Sequence, residues 1–287
     1  MSGPLFAMLD GTRAHFQHGP IDLVIEAQGD AEAVRLAYER AWLRFQRLLE
    51  VLSGELSLLR SQVAQAQPVS GPVARRMFNA CWPYREVFIT PMAAVAGAVS
   101  DEVLDALVDG DIRKAYVNNG GDIALHLGPG EVFKVGVAEG FEKMAGHISV
   151  GANAGIGGVA TSGWRGRSFS FGIADSVTVL AVNAAAADAA ATIIANAVNV
   201  DDAVIARKPA CSIKDDSDLG ERLVTTAVGA LSPEKIDKAL DRGHAKAKEL
   251  IAAGLVRGAA LFLQERVRML APERELRAGA STELAHS

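Results

Sequence analysis

The sequence predicts an α+β fold, and three features predict it. Short β-branched runs are bounded by glycine and proline turns, so strands pair locally as hairpins. Segments with apolar residues at helical spacing stand between those runs. A strand pattern ending in Thr90 enters a small-residue helix, and one ending in Val182 enters another. That echo suits a pair of similar subdomains, and equally the general habit of α+β folds.

The first strand is expected at Ile21–Ala27, between Gly19-Pro20 and Gly29-Asp30. An amphipathic helix follows, with Val34, Ala37, Tyr38, Ala41, Trp42, Phe45, Leu48, Leu49 and Leu52 on its apolar side and Asp30 as N-cap. The stretch from Gln67 to Pro72 breaks the chain. A short helix over Ala74–Ala80 and a strand over Glu86–Thr90 come next. Pro91 opens the first small-residue helix, which runs on through Leu107. Ala115–Asn118 and Ile123–Leu127 read as a hairpin joined by Asn119-Gly120-Gly121-Asp122. Phe133–Val137 is another strand. Gly151–Gly158 reads as loop and strand ends. Ser176–Val182 is a β-branched strand feeding an alanine helix near Ala184. Two helices are expected at Pro233–Leu240 and Ala245–Ala252, then a closing strand within Ala259–Leu270. Residues 1–272 are expected to form one domain and 273–287 a loose tail.

The 287 residues are 49% hydrophobic and 22% charged, ample for a real core. A net charge of −5 argues against nucleic-acid binding. Two cysteines, Cys81 and Cys211, suit a reduced compartment better than a disulfide scaffold. The N-terminus lacks a basic region followed by an apolar core, so no signal peptide is expected. No apolar run reaches about 20 residues, so no membrane span is expected, and the expected location is the cytoplasm.

The chemistry gathers in four segments that pair small residues with polar groups. These are Thr90–Gly97, Asn118–Ile123, Val159–Gly163 and the helix from Ala184. In that helix Asp188, Thr192 and Asn196 fall at i, i+4 and i+8, on one face. A carboxylate and a hydroxyl there can hold a hard cation. Mg²⁺ needs only one or two protein carboxylates and takes phosphate oxygens and water for the rest. Glycine-rich loops can present backbone N–H groups to anionic oxygens. The alternative is local: Asp188 caps a helix or bonds a loop, and Thr192 bonds back to a carbonyl. Arg165, just after Thr161-Ser162-Gly163, suits a phosphate. His147 stands close enough in sequence to the glycine-rich loop to reach such a pocket. Cys81, with no base nearby, reads as a buried apolar residue.

The order Gly120-Gly121-Asp122, Ala160-Thr161-Ser162-Gly163, Val177-Thr178-Val179 and Ala187-Asp188-Ala189-Ala190-Ala191-Thr192 resembles the ApbE-like flavin transferase superfamily. The resemblance is closer to an uncharacterised branch of that superfamily. It extends to His18–Leu23, Glu55–Arg60, Thr90–Gly97 and Ser217–Gly220. It implies a duplicated α+β unit of the tunnelling-fold type. It implies FAD and Mg²⁺ as ligands, with Asp188 and Thr192 on the metal and Asp188 central to catalysis. Asn119, Gly120, Gly121, Asp122, Thr161, Ser162, Gly163 and Arg165 would then hold the nucleotide.

Two departures bear on activity. The family's Lys-Gly pair is matched by Ala96-Gly97. The family's His-Ile-Ile-Asp-Pro is matched by Gly172-Ile173-Ala174-Asp175-Ser176, which keeps the aspartate and loses the histidine, the natural proton handler near neutral pH. Three readings follow. The first is a Mg²⁺-dependent FAD-binding protein that cleaves or transfers at the pyrophosphate. The second is an enzyme on the same scaffold acting on another heterocycle, such as a pterin. The third is a non-catalytic binding protein, with a homo-oligomer built on sheet edges as one form. The partner expected is a small nucleotide or heterocyclic ligand, with neither nucleic acid nor membrane.

Overall fold

The computed structural model describes residues 3–109, 111–139 and 143–270. The tail expected at 273–287 lies outside the described residues. The mixed α and β composition expected from the sequence is present, and the strands pair antiparallel throughout.

The chain opens with β1 (Leu5–Met8), β2 (Arg13–His18) and β3 (Ile21–Gly29). Four helices follow: α1 (Ala31–Phe45), α2 (Leu48–Gly54), α3 (Leu56–Leu59) and α4 (Pro72–Cys81). A single 3₁₀ turn at Pro91–Ala94 leads into α5 (Val95–Leu107). Then come β4 (Ile112–Asn119), β5 (Asp122–Leu127), β6 (Val132–Glu139), β7 (Lys143–Gly151), β8 (Gly158–Ser162) and β9 (Ser176–Ala181). α6 (Ala184–Ala197), β10 (Ile205–Pro209), β11 (Leu223–Val228), α7 (Pro233–Ala252), β12 (Gly258–Leu263) and β13 (Arg266–Leu270) complete the order.

Nine strands form one sheet in the order β1-β2-β3-β4-β5-β8-β9-β12-β13, while β6-β7 and β10-β11 are separate ribbons. Within the sheet, β2-β3, helices and β4-β5 run in the same order as β8-β9, helices and β12-β13. Period-two alternation assigns the faces. Val177, Val179 and Ala181 of β9 join the core under α6 and α7, whereas Leu180 joins Leu125, Val159, Val135 and Val150 beneath the β6-β7 ribbon. A separate core under α1, α4 and α5 holds Phe16, Leu23, Ile25, Phe45 and Met77.

Local chemistry explains the helix starts. The Asp30 carboxylate accepts from the N–H groups of Glu32 and Ala33. Asn183 caps α6 through the N–H of Ala186. α6 is rich in alanine because it is wedged among α5, α7, β8 and β9, where larger side chains would not fit. Its N-terminus is also held from outside: the buried Asp101 of α5 accepts from the N–H groups of Ala184 and Ala185, both at 2.9 Å. Asp101→Ala leaves both donors unpaired and is expected to cost about 1–3 kcal/mol. Asp101→Asn, which keeps one acceptor, should cost less. Thermal melts of the two variants check this, and equal melting temperatures would contradict it.

The structure departs from the sequence expectations in several places. Glu86–Thr90 is not a strand. Among the described residues its backbone pairs with no strand: Ile89 O accepts from the Val63 N–H and Thr90 O from the Ala93 N–H. The expected helix over 34–52 is two, because the chain turns at Gln46-Arg47 while its apolar spacing continues unbroken. Conversely, the two helices expected around 233–252 are one. Gly243 looks like a break, but it is a packing glycine whose Cβ would meet Val198 Cγ2 at 2.3 Å and Leu261 Cδ2 at 2.8 Å. The closing strand is a hairpin, turned by Gln264 and Glu265 with φ of 44° and 66°.

Candidate functional site

β5 and β8 join the two halves of the sheet by only two residue pairs, Ile123↔Val159 and Ala124↔Gly158. Beyond them regular pairing stops. The N–H of Thr161 turns instead to the Asp122 carboxylate, at 3.3 Å. A cavity of about 920 Å³ occupies this fork and extends between the halves. A second hollow of about 440 Å³, at Asp30, Asp111 and Glu131, carries none of the expected site residues.

The large cavity is lined by Asn119, Gly120, Gly121, Asp122, Thr161, Ser162, Gly163, Asp188 and Thr192. The four small-residue segments therefore meet at one place. Gly120 and Gly121, with φ of +65° and +109°, make the β4-β5 turn that sets Asp122 at the head of its strand. Asn118 Oδ1 accepts from the Gly121 N–H at 2.8 Å, and Ser100 Oγ donates to Asp122 O at 2.9 Å. Thr161 and Thr178 share a hydroxyl hydrogen bond of 2.9 Å across β8 and β9.

Asp188 makes the inter-element bond that the local alternative expected, and it also lines the cavity. Its Oδ2 accepts from the Gly97 N–H of α5 at 3.0 Å. Helices α5 and α6 thus cap one another, through Asp188 on one side and Asp101 on the other. Gly97 permits the close approach, since a Cβ there would lie 2.3 Å from Ala184 O. Among the described residues the Thr192 hydroxyl takes no protein partner, while Asn196 Oδ1 accepts from Ser170 Oγ and the Phe171 N–H.

Burial dominates the electrostatics. It pushes the Asp188 carboxyl well above its ordinary range, helped by the nearby charge of Asp122 and opposed by the N–H groups of Gly97 and Ala96. Burial likewise pushes Asp122 up to about 7, opposed by the Thr161 N–H and the charge of Arg167. Asp101 is pushed up to about 6 by burial. Two carboxylates facing one cavity with raised proton affinity form a place where a divalent cation can replace protons. Among the described residues no group of three or more His, Cys, Asp or Glu stands ready as a metal cage. The donor set suits a cation that completes its shell from ligand oxygens and water.

These shifts fix the sign of a pH effect. The folded chain binds these protons more tightly than the unfolded chain. Stability therefore falls as pH rises from the ordinary carboxylate range near about 4 through about 7. The melting temperature of the metal-free protein is expected to drop by a few degrees between pH 5 and pH 8. Asp122→Asn should flatten that drop, and a drop of the same size in the variant would contradict it.

Two residues, Arg165 and His147, stand differently from the expectation, and Cys81 is buried as expected. Arg165 does not line the cavity: it pairs with Asp175 at 2.8 Å and lies over the Trp164 ring. Arg167, two residues on, lines it instead. His147 lies on β7 outside the lining. Cys81 is fully buried, and burial pushes its thiol up. The sequence reading passed over Phe88, Phe169 and Phe171, which also line the cavity. Phe88 stands far from the other two in the chain, and the spacing of Phe169 and Phe171 does not by itself mark a ligand wall.

The family model described as AbpE bacteria matches residues 6–269. The chain belongs to that family. Relatives of the same kind include the UPF0280 protein of Methanothermobacter thermautotrophicus, 39% identical over 161 residues (55% of this chain and 61% of that one). The UPF0280 protein of Methanothrix thermoacetophila is 39% identical over 132 residues (45% and 54%). The match thus spans less than two thirds of those relatives' own length. Solved structures similar to this family member include the ApbE protein of Thermotoga maritima, with TM-score 0.49, 14% identity and coverage of 94% and 97%. Another is the flavinyl transferase ApbE of Pseudomonas stutzeri, with TM-score 0.46, 13% identity and coverage of 96% and 97%. Among the described residues no helix is long and apolar enough to cross a membrane.

Proposed function

We propose that the cavity binds a flavin nucleotide, FAD, together with Mg²⁺. The observation that carries this reading is the meeting of Asp122, Asp188 and Thr192 in one cavity beside two small-residue loops. Asp188, Thr192 and Asp122 would hold the cation. Gly120, Gly121 and Thr161 to Gly163 would face the phosphates, and the neighbouring aromatic side chains suit a flat ring. When bound, Mg²⁺ supplies charge stabilisation at the phosphorus under attack. Attack of water on the phosphorus of the FMN half breaks the P–O–P bond and releases FMN and AMP. Attack by a protein hydroxyl instead leaves FMN esterified to that protein, again with AMP as the leaving group. The matching order of β2-β3, helices, β4-β5 and β8-β9, helices, β12-β13 supports descent from a duplicated unit of the tunnelling-fold type.

The missing histidine favours a second reading. At Gly172 a Cβ would lie 2.0 Å from Ala195 O, so this chain has no room there for any side chain. Proton handling by that position is closed, and a different heterocycle, such as a pterin, becomes the alternative ligand.

Thermal shift with FAD, FMN and a pterin, each with and without Mg²⁺, separates the two. FAD with Mg²⁺ is expected to raise the melting temperature by several degrees, and chromatography of the mixture is expected to show AMP and FMN. Stabilisation by the pterin alone would replace the first reading with the second.

A further inference from the structure

Three cationic side chains line the cavity: Arg60, Arg167 and Lys214. Two are already committed. Arg60 pairs with Asp216 at 2.7 Å, and Lys214 lies 3.7 Å from the same carboxylate. Arg167 makes no ion pair or hydrogen bond among the described residues. Its guanidinium lies directly over Gly120, where a Cβ would fall 1.4 Å from Nη2. The side chain can occupy this place only because residue 120 is a glycine. Its positive charge reaches Asp122. An uncommitted guanidinium, a glycine turn and the Asp122 carboxylate thus lie together on the cavity wall.

We infer that Arg167 docks the ligand's diphosphate, and that Gly120 is a glycine to admit it. This deepens the reading proposed above for the same cavity. A guanidinium fork matches two phosphate oxygens, and an uncommitted one breaks no pair to engage them. The position has a second consequence. Without a diphosphate, the cation on Arg167 stands near Asp122, one of the carboxylates that would take Mg²⁺, and would repel the metal. With a diphosphate between them, the same charge helps hold the complex. Removing Arg167 should therefore weaken diphosphate binding and leave binding of Mg²⁺ alone unchanged or tighter. A purely structural arginine would not split the two ligands in this way.

The probe is ADP, a diphosphate without a flavin, titrated by calorimetry at pH 8 with saturating Mg²⁺. Arg167→Ala is expected to weaken ADP about 10- to 100-fold, with Arg167→Lys in between. Mg²⁺ alone should bind the alanine variant at least as tightly as the wild type. Arg165→Ala is the comparison, because Asp175 also accepts from Trp164 Nε1 and the Gln264 N–H and keeps its place without Arg165. It is expected to stay within about twofold for ADP, since a guanidinium aimed away from the ligand contributes little to it. Circular dichroism confirms that each variant is folded. ADP affinity within twofold of wild type in Arg167→Ala, or no ADP binding by the wild type, would overturn the inference. ADP binding that depends on Arg167 would sustain it even if FAD itself failed to bind, which would count against the flavin reading alone.

Discussion

Asp188→Asn is expected to weaken Mg²⁺-dependent FAD binding by about 100-fold or more, roughly 2.7 kcal/mol. The asparagine keeps an acceptor for the Gly97 N–H, so the contact between α5 and α6 survives. What disappears is the charge that a cation needs. The same charge is a burden to the metal-free protein, because burial and Asp122 both resist its ionisation. Above pH 7 the metal-free variant should therefore melt at or above the wild-type temperature. Loss of ligand response together with retained stability separates a binding role from a structural one. A variant that melts well below wild type and still binds FAD with Mg²⁺ would assign Asp188 to capping alone.

Gly97→Ala should be strongly destabilising for a change of one methyl group. The added Cβ would lie 2.3 Å from Ala184 O, 2.5 Å from Ala184 C and 2.8 Å from Ala185 N. Those are backbone atoms at the start of α6 and cannot turn aside. The helices must separate, which lengthens the Asp188 contact to Gly97 and both Asp101 contacts to Ala184 and Ala185. A cost of about 3 kcal/mol or more is expected, at the upper end of overpacking effects because three capping bonds share the damage. Chemical denaturation gives the value directly. A change under about 1 kcal/mol would show that the helices can slide apart freely, against the close packing described here.

Much of the site was legible because its parts are local. Gly120-Gly121 announces a tight hairpin turn, and the helical spacing of Asp188, Thr192 and Asn196 puts them on one face. All three line the cavity. The alanine run also signals close packing by itself. The choice between Arg165 and Arg167 was not legible. Both follow Thr161-Ser162-Gly163, and only the tertiary position of Asp175 draws Arg165 away. The role of Asp101 was hidden for the same reason, since its partners lie 83 and 84 residues further on. In the fold, long apolar periodicity was visible and its interruptions were not. The turn at Gln46-Arg47 keeps the helical spacing, the turn at Gln264-Glu265 uses no glycine, and Gly243 serves packing rather than a break. The ribbon of β10 and β11 escaped because its strands are short and 13 residues lie between them.

The most direct test of the cation-dependent site is a calorimetric titration of FAD into the wild-type protein at pH 8, once with Mg²⁺ and once with a chelator. The expected result is saturable binding with Mg²⁺ that weakens at least about tenfold without it, a difference of roughly 1.4 kcal/mol. Equal affinity in the two titrations would remove the metal from the site, and no binding in either would remove the flavin.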